Sequence, residues 1–313
     1  MRYLMTTAIV AALATTACKD TMREARVTSA KAEAPAMVLS VDKTALDAAL
    51  DAQTDETKAR YQHRHPAETL EFFGIAPGMV VVDALPGSEA KGWYTPILAR
   101  YLGAGDTPGK IIAVDYASDM WGEFDFATPE FIAGKASWAD EWVAGARARK
   151  AAGDFGDANV DFAATTFGGD NGAFAGMADA ALLMRATHNL NRFEDEGGYM
   201  TEALEDIYAM LKPGGVVGVV QHRAPAGSDD DWADGSNGYV KQDVVIDAFK
   251  RAGFVYEGSS EINANPLDMP TSEDGVWRLP PTLGGSRDNP ELKAAMEAIG
   301  ESDRMTLKFR KPA

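Results

Sequence analysis

His188 and His222 are the residues whose type and place best suit proton chemistry. Histidine titrates near neutrality and serves as a general base or a polar clamp. The chain holds four histidines, and each of these two follows an apolar run. Residues 178–184 lead into Arg185-Ala186-Thr187-His188-Asn189, and residues 216–221 lead into His222-Arg223. A histidine so placed either acts on a ligand or holds a loop by hydrogen bonds, and both readings stand. His63 and His65 belong to an N-terminal helical stretch instead. A two-histidine metal site would need a third ligand, Asp115 or Asp179, and the spacing does not ask for one. The single cysteine, Cys18, excludes a disulfide framework and a multi-cysteine zinc site.

A second chemistry lies earlier in the chain. The apolar run 79–83 ends in an acid and continues as Asp83-Ala84-Leu85-Pro86-Gly87-Ser88-Glu89-Ala90-Lys91-Gly92-Trp93-Tyr94. Gly87 and Gly92 permit close backbone approach. Thr95-Pro96 then opens a helix whose free N–H groups and dipole favour an anionic group. This is neither the dinucleotide fingerprint nor the phosphate loop, since both glycine patterns are missing. Asp115 ends the next apolar run, 110–115. An acid there either accepts hydrogen bonds from both hydroxyls of a ribose or stands as a solvated aspartate.

These groups need a frame, and the sequence supplies one. Of 313 residues, 46% are apolar and 25% charged, an ordinary globular composition. The net charge of −17 argues against a nucleic-acid partner, because phosphate binding needs a basic face. Residues 1–18 read as an export signal, with Arg2, a short apolar stretch, and Thr15-Thr16-Ala17-Cys18 resembling a lipobox. On that reading the protein is exported, periplasmic and attached to a membrane through a lipidated Cys18. Residues 19–42 read as a flexible tether, and 43–313 as a single domain.

Within that domain, apolar runs alternate with helical segments. Strands are expected at 79–83, 110–115, 159–165, 178–184, 216–221, 254–262 and 305–309. Helices are expected after Asp42, over 67–73, from Thr95 to Gly103, over 201–211, over 242–252 and over 292–299. The pattern implies an α/β, doubly wound, Rossmann-like fold, mostly parallel, with seven strands and an antiparallel edge hairpin. Ligands of such sheets bind beyond the carboxyl ends of the strands, where strand order reverses. Asp83, Asp115, His188 and His222 all fall at strand ends.

The chain resembles class I S-adenosylmethionine-dependent methyltransferases, and more narrowly a bacterial group of exported predicted methyltransferases. The stretches that carry this are Tyr61-Gln62-His63-Arg64-His65-Pro66, Leu70-Glu71-Phe72-Phe73-Gly74-Ile75, Pro86-Gly87 with Gly92-Trp93-Tyr94-Thr95, Thr187-His188-Asn189, Leu211-Lys212-Pro213-Gly214-Gly215 and Gln221-His222-Arg223-Ala224. The resemblance implies S-adenosylmethionine as cofactor and a small molecule or envelope component as substrate. It places Asp83, Leu85, Gly87, Ser88, Gly92 and Tyr94 around the methionine part and sulfonium. Asp115 would take the ribose, and Thr166 and Phe167 the adenine. Thr187, His188 and Asn189 would face the transferred methyl, with His188 or His222 deprotonating or orienting the nucleophile. Leu85 and Glu89 depart from the pattern by standing where glycines are usual. Glu89-Ala90 reads as an insertion, with Gly92 recovering the last glycine. That departure keeps a second function open, a non-catalytic envelope protein binding a nucleoside-like metabolite. A nicotinamide-dependent oxidoreductase is weaker, since the pyrophosphate glycines are missing.

Overall fold

Seven strands hydrogen-bond into one sheet at the centre of the computed structural model, which describes residues 39–313. The expected export signal and most of the expected tether lie outside the described residues. The strands are β1 (Val80–Ala84), β2 (Gly109–Asp115), β3 (Val160–Thr166), β4 (Ala178–Met184), β5 (Leu211–His222), β6 (Val255–Ser260) and β7 (Arg304–Arg310). Their order is β3-β2-β1-β4-β5-β7-β6. The first five are parallel, while β7 runs antiparallel to both β5 and β6. The fold is therefore the doubly wound α/β sheet with an antiparallel edge hairpin. Strand order reverses between β1 and β4, and that crevice is where such sheets receive ligands.

The central strands read as continuous apolar runs because both faces of the sheet are covered. Side chains alternate, so adjacent valines of β1 serve opposite layers. Val81 joins Leu70, Phe73, Ile97, Leu98 and Trp142 on one face. Val82 joins Leu204, Ile207, Phe249 and Phe309 on the other. Each such aliphatic side chain, fully buried, contributes roughly 1.5–3 kcal/mol.

The helices that aim the strand ends are locally specified. Lys43–Asp51 starts where the Asp42 carboxylate accepts the Ala45 N–H at 3.0 Å. Pro66–Phe73 stops at Gly74, whose φ of 76° is the left-handed cap. Thr95–Leu102 has its proline in the first turn and presents Ile97, Leu98, Tyr101 and Leu102 inward. Pro290–Ile299 begins two residues before the expected 292, because Asn289 caps the Leu292 N–H at 3.0 Å and Pro290 fits the first turn. The helix expected at 201–211 runs Tyr199–Met210, entering from Gly198 at φ 71°.

One strand boundary differs in kind. β5 starts at Leu211, not Val216. Ala178 pairs with Leu211 and Ala180 with Val216, so Lys212-Pro213-Gly214-Gly215 loops out of the ladder between them. Gly214, at φ 77°, turns that loop.

Candidate functional site

A cavity of about 290 Å³ opens at the carboxyl ends of β4 and β5. His188, Asn189 and Arg185 follow β4, His222 ends β5, and Leu85 and Tyr116 follow β1 and β2. The 276–282 segment and Glu301-Ser302 complete its walls. That roof is fixed from behind. The buried Asp268 carboxylate accepts from Arg278 Nη2 at 2.8 Å and from the Tyr239 hydroxyl at 2.9 Å. Arg278 in turn adjoins Trp277 in the wall.

Gln221 sets the state of His188. Its side-chain amine donates to the Gly238 carbonyl at 2.9 Å and to the His222 carbonyl at 3.3 Å, so its oxygen must point the other way. That oxygen accepts from the Thr187 hydroxyl at 3.0 Å and the His188 backbone N–H at 3.3 Å, with His188 Nδ1 also at 3.3 Å. Nδ1 must then carry the proton, which leaves the lone pair on Nε2. Burial pushes the His188 ring down to about 4, helped by the Arg185 charge and opposed by Gln221. His222 is also held well below its ordinary value, by burial first and then by His188 and the nearby arginines. The two rings lie 5.8 Å apart, centre to centre, and His222 Nδ1 is 2.5 Å from the Ser302 hydroxyl. Both are neutral rings at neutral pH. Asn189 Nδ2 donates to the Tyr116 hydroxyl at 2.8 Å, tying the ends of β4 and β2 together.

Charge enters the cavity from one side. Glu301 accepts from Arg60 Nε at 2.6 Å, Arg64 Nε at 3.0 Å and Arg304 Nη2 at 2.6 Å. Although burial opposes it, these arginines hold its carboxyl down at about 2. Arg185 lies close to the same group. Its backbone is left-handed, φ 62°, a conformation that a side chain disfavours by roughly 1–2 kcal/mol. Its N–H donates to the Val220 carbonyl at 2.6 Å.

The ends of β1 and β2 are built differently. Leu85, Glu89 and Ala90 all adopt positive φ, at 57°, 50° and 55°. Leu85 and Glu89, which stand where glycines are usual, thus take the glycine-type backbone, as does Ala90 of the expected insertion. Leu85 keeps its place in the cavity wall. Glu89 turns outward to an ion pair with Lys91, and Ala90 is buried beside Ile97 and Trp142. Arg149 holds the Ala90 carbonyl. Gly87 and Ser88 are exposed. Asp83 is buried, accepts the Thr95 hydroxyl at 3.2 Å, and is pushed up to about 7 by loss of solvent. Asp115 is buried and bound by Lys135 Nζ at 3.0 Å, with the ammonium 3.6 Å from the centre of the Trp121 ring.

The expected site residues therefore separate. His188, Asn189, His222 and Leu85 share the cavity. Thr187 is fully buried and its hydroxyl is committed to Gln221, so it positions His188 and does not face a methyl group. Phe167 turns into the core beside Val114, so its side chain does not line an adenine site. Thr166 pairs with Asp115 across β3 and β2, and its carbonyl accepts from Asn171 at 3.1 Å. Tyr94 is partly buried, its hydroxyl 3.4 Å from the Arg64 carbonyl. Gly92 packs against Pro86. Asp179 sits at the amino end of β4, paired with Lys212 at 2.5 Å, and Asp115 is held by Lys135, so neither joins the two histidines. Among the described residues no three His, Cys, Asp or Glu side chains gather as a metal site. Sequence reasoning missed Arg185, Trp277, Glu301 and Ser302. For Arg185 a signal existed, an arginine directly at the end of an apolar strand.

No family model matches the sequence, and no curated protein matches it. Solved structures resemble it in chain course. A geranyl diphosphate methyltransferase in complex with SAM is 14% identical over 88% of this chain and 96% of that one, with a TM-score of 0.47. A Haloferax volcanii putative methyltransferase, complexed with the Trm112 activator, is 18% identical over 87% and 97%, TM-score 0.45. The [4+2]-cyclase SpnF is also 18% identical, over 80% and 81%, TM-score 0.45. Such likenesses say nothing about the chemistry of the site.

Proposed function

We propose that the chain is an S-adenosylmethionine-dependent methyltransferase acting on a small molecule held in the β4–β5 cavity. One observation carries this reading. On the strand-order reversal, an acid-bearing β2 and an open loop after β1 stand to one side, and a cavity with two neutral histidines stands to the other. A methyl donor and an acceptor need that adjacency, because transfer depends on in-line placement more than on strong acid–base chemistry. Nothing lies within 4 Å of where a Cβ on Gly87 would stand, so the loop backbone is open to a ligand there. Asp115 is the group for the ribose hydroxyls, once Lys135 moves aside. When bound, the cofactor supplies an electrophilic methyl on a sulfonium. His188 then contributes a hydrogen-bond acceptor, Nε2, for the proton of an acceptor hydroxyl or amine. A ring that titrates near 4 orients that proton and does not retain it at neutral pH.

The internal pairing of Asp115 with Lys135 favours a second reading, a binding protein of the same fold that takes a small metabolite in the cavity. Calorimetric titration with S-adenosylmethionine and S-adenosylhomocysteine decides between them. Micromolar binding, about −8 kcal/mol, lost in Asp115→Ala, is expected for the methyltransferase. Absence of binding near millimolar would leave the second reading.

A further inference from the structure

Arg185 is a cation without a counter-ion. Among the described residues its guanidinium makes no ion pair and no hydrogen bond, while it lines the cavity beside His188. The arginines around it each have a carboxylate partner. Arg60, Arg64 and Arg304 converge on Glu301, and Arg278 on Asp268 and Asp274. Glu301 is the one carboxylate in the cavity wall, and it already faces three arginines. Three guanidinium groups thus share one carboxylate and a fourth, that of Arg185, stands near them unpaired among the described residues, in a chain whose net charge is −17. The histidines add no positive charge, being held neutral by burial. Burial and the neighbouring arginines pull Arg185 itself down to about 9, so it remains charged at neutral pH. A partly buried cation so placed is unfavourable until an anion joins it.

Leu85, Met184, Trp277 and Leu279 give the wall an apolar part, beside a polar one that includes Asn189, Tyr116, Thr282 and Ser302. At about 290 Å³ the space suits a small ligand. A guanidinium presents two parallel N–H donors that match an oxyanion.

We propose that the cavity takes a small amphiphilic anion, its carboxylate or phosphate paired with Arg185 and its apolar body against Trp277 and Leu279. This names the substrate class and rests on the reading above only in calling that anion the methyl acceptor. The binding itself stands apart from the cofactor. The acidic exterior disfavours a polyanion, and the small volume of the cavity suits a small anion.

The test is calorimetry on the whole chain, without any cofactor, using benzoate, phenyl phosphate and the uncharged benzamide. One or both anions should bind, benzamide should bind at least tenfold more weakly, and Arg185→Gln should lose at least tenfold for the anion that binds. Arg185→Lys should recover part of that loss, since the charge returns without the fork. Benzoate alone marks a carboxylate ligand, and phenyl phosphate alone a phosphate. A structural role for Arg185 would lower the melting temperature of Arg185→Gln, whereas a counter-ion-free cation leaves it equal or higher. Failure of both anions, equal binding by Arg185→Gln, or a lowered melting temperature would overturn the proposal. Because no cofactor is present, anion binding together with absent S-adenosylmethionine binding would defeat only the methyl-transfer reading.

Discussion

At the carboxyl ends of β1 and β2 each carboxylate is met by the chain, whereas at the ends of β4 and β5 an arginine is met by none of the described residues. Asp83 has Thr95, Glu89 has Lys91 and Asp115 has Lys135. Arg185 has no such partner among the described residues. The first half must break an internal bond before it takes a polar ligand. The second half is preorganised, with its histidine tautomer fixed and its cation free, and so loses less on binding. The contrast divides one sheet edge into a side that must open and a side already formed.

The two halves should respond to pH with opposite sign. Asp83 titrates at about 7 in the fold because burial outweighs the Thr95 hydrogen bond. Unfolded, it titrates near 4. The native state therefore binds more protons between those values. Its stabilisation is complete below about 4 and is lost as pH rises through 7. His188 runs the other way, at about 4 folded against about 6.5 unfolded. Its contribution is complete above about 6.5 and is lost as pH falls toward 4. Asp83→Asn keeps a partner for Thr95 and abolishes one titration. The stability of the parent relative to this variant should fall between pH 4 and pH 8, by an amount on the order of 4 kcal/mol. Urea unfolding at the two pH values measures it. A constant difference would mean that Asp83 is hydrated and that its half is less closed than drawn here.

Each half is also pinned by a glycine. A Cβ at Gly92 would stand 2.1 Å from the Pro86 carbonyl oxygen, and one at Gly235 would stand 2.0 Å from that of His188. Both obstacles are backbone, which cannot rotate away. Gly92→Ala and Gly235→Ala should each destabilise the fold by about 3 kcal/mol. Their ligand effects should part. Gly92→Ala disturbs the 85–92 loop and spares benzoate or phenyl phosphate. Gly235→Ala shifts His188 and weakens those anions at least fivefold. Equal losses of both ligands in both variants would show a single coupled edge and dissolve the comparison.

The sheet was legible because its information is local. Apolar runs ending in Asp83 and Asp115, and apolar runs followed by His188 and His222, state both the parallel core and the edge that carries chemistry. What escaped was decided by contacts distant in sequence. Arg60 and Glu301 are 241 positions apart, yet their pairing is what leaves Arg185 without an anion. Lys135 could not be assigned to Asp115, because the short helical turns from Met120 to Ser137 are too brief to show an apolar period that fixes their course. Thr187 and Phe167 fell at readable positions with unreadable directions. A one-residue change of direction decides whether a side chain meets a ligand, Gln221 or the core. The start of β5 escaped for a related reason. Lys212-Pro213-Gly214-Gly215 reads as a turn and is one, but Leu211 before it already pairs with Ala178.

Lys135 gives the smallest effect and the sharpest test of the closed half. Its ammonium lies between the Asp115 carboxylate and the Trp121 ring, so on the proposed reading ribose hydroxyls would compete with it for the same oxygens. In Lys135→Met the competitor is gone while the apolar stem still covers the indole. Loss of the ammonium also removes the main group holding the Asp115 carboxyl down against burial. The measurement therefore belongs at pH 8, where a raised carboxyl is more fully ionised. Affinity for S-adenosylhomocysteine should then rise about fivefold, near 1 kcal/mol. A fall of that size would instead make Lys135 a contact of the ligand. The β1–β2 end would then be as preformed as the β4–β5 end, and the salt bridge would be a resting partner and not a plug.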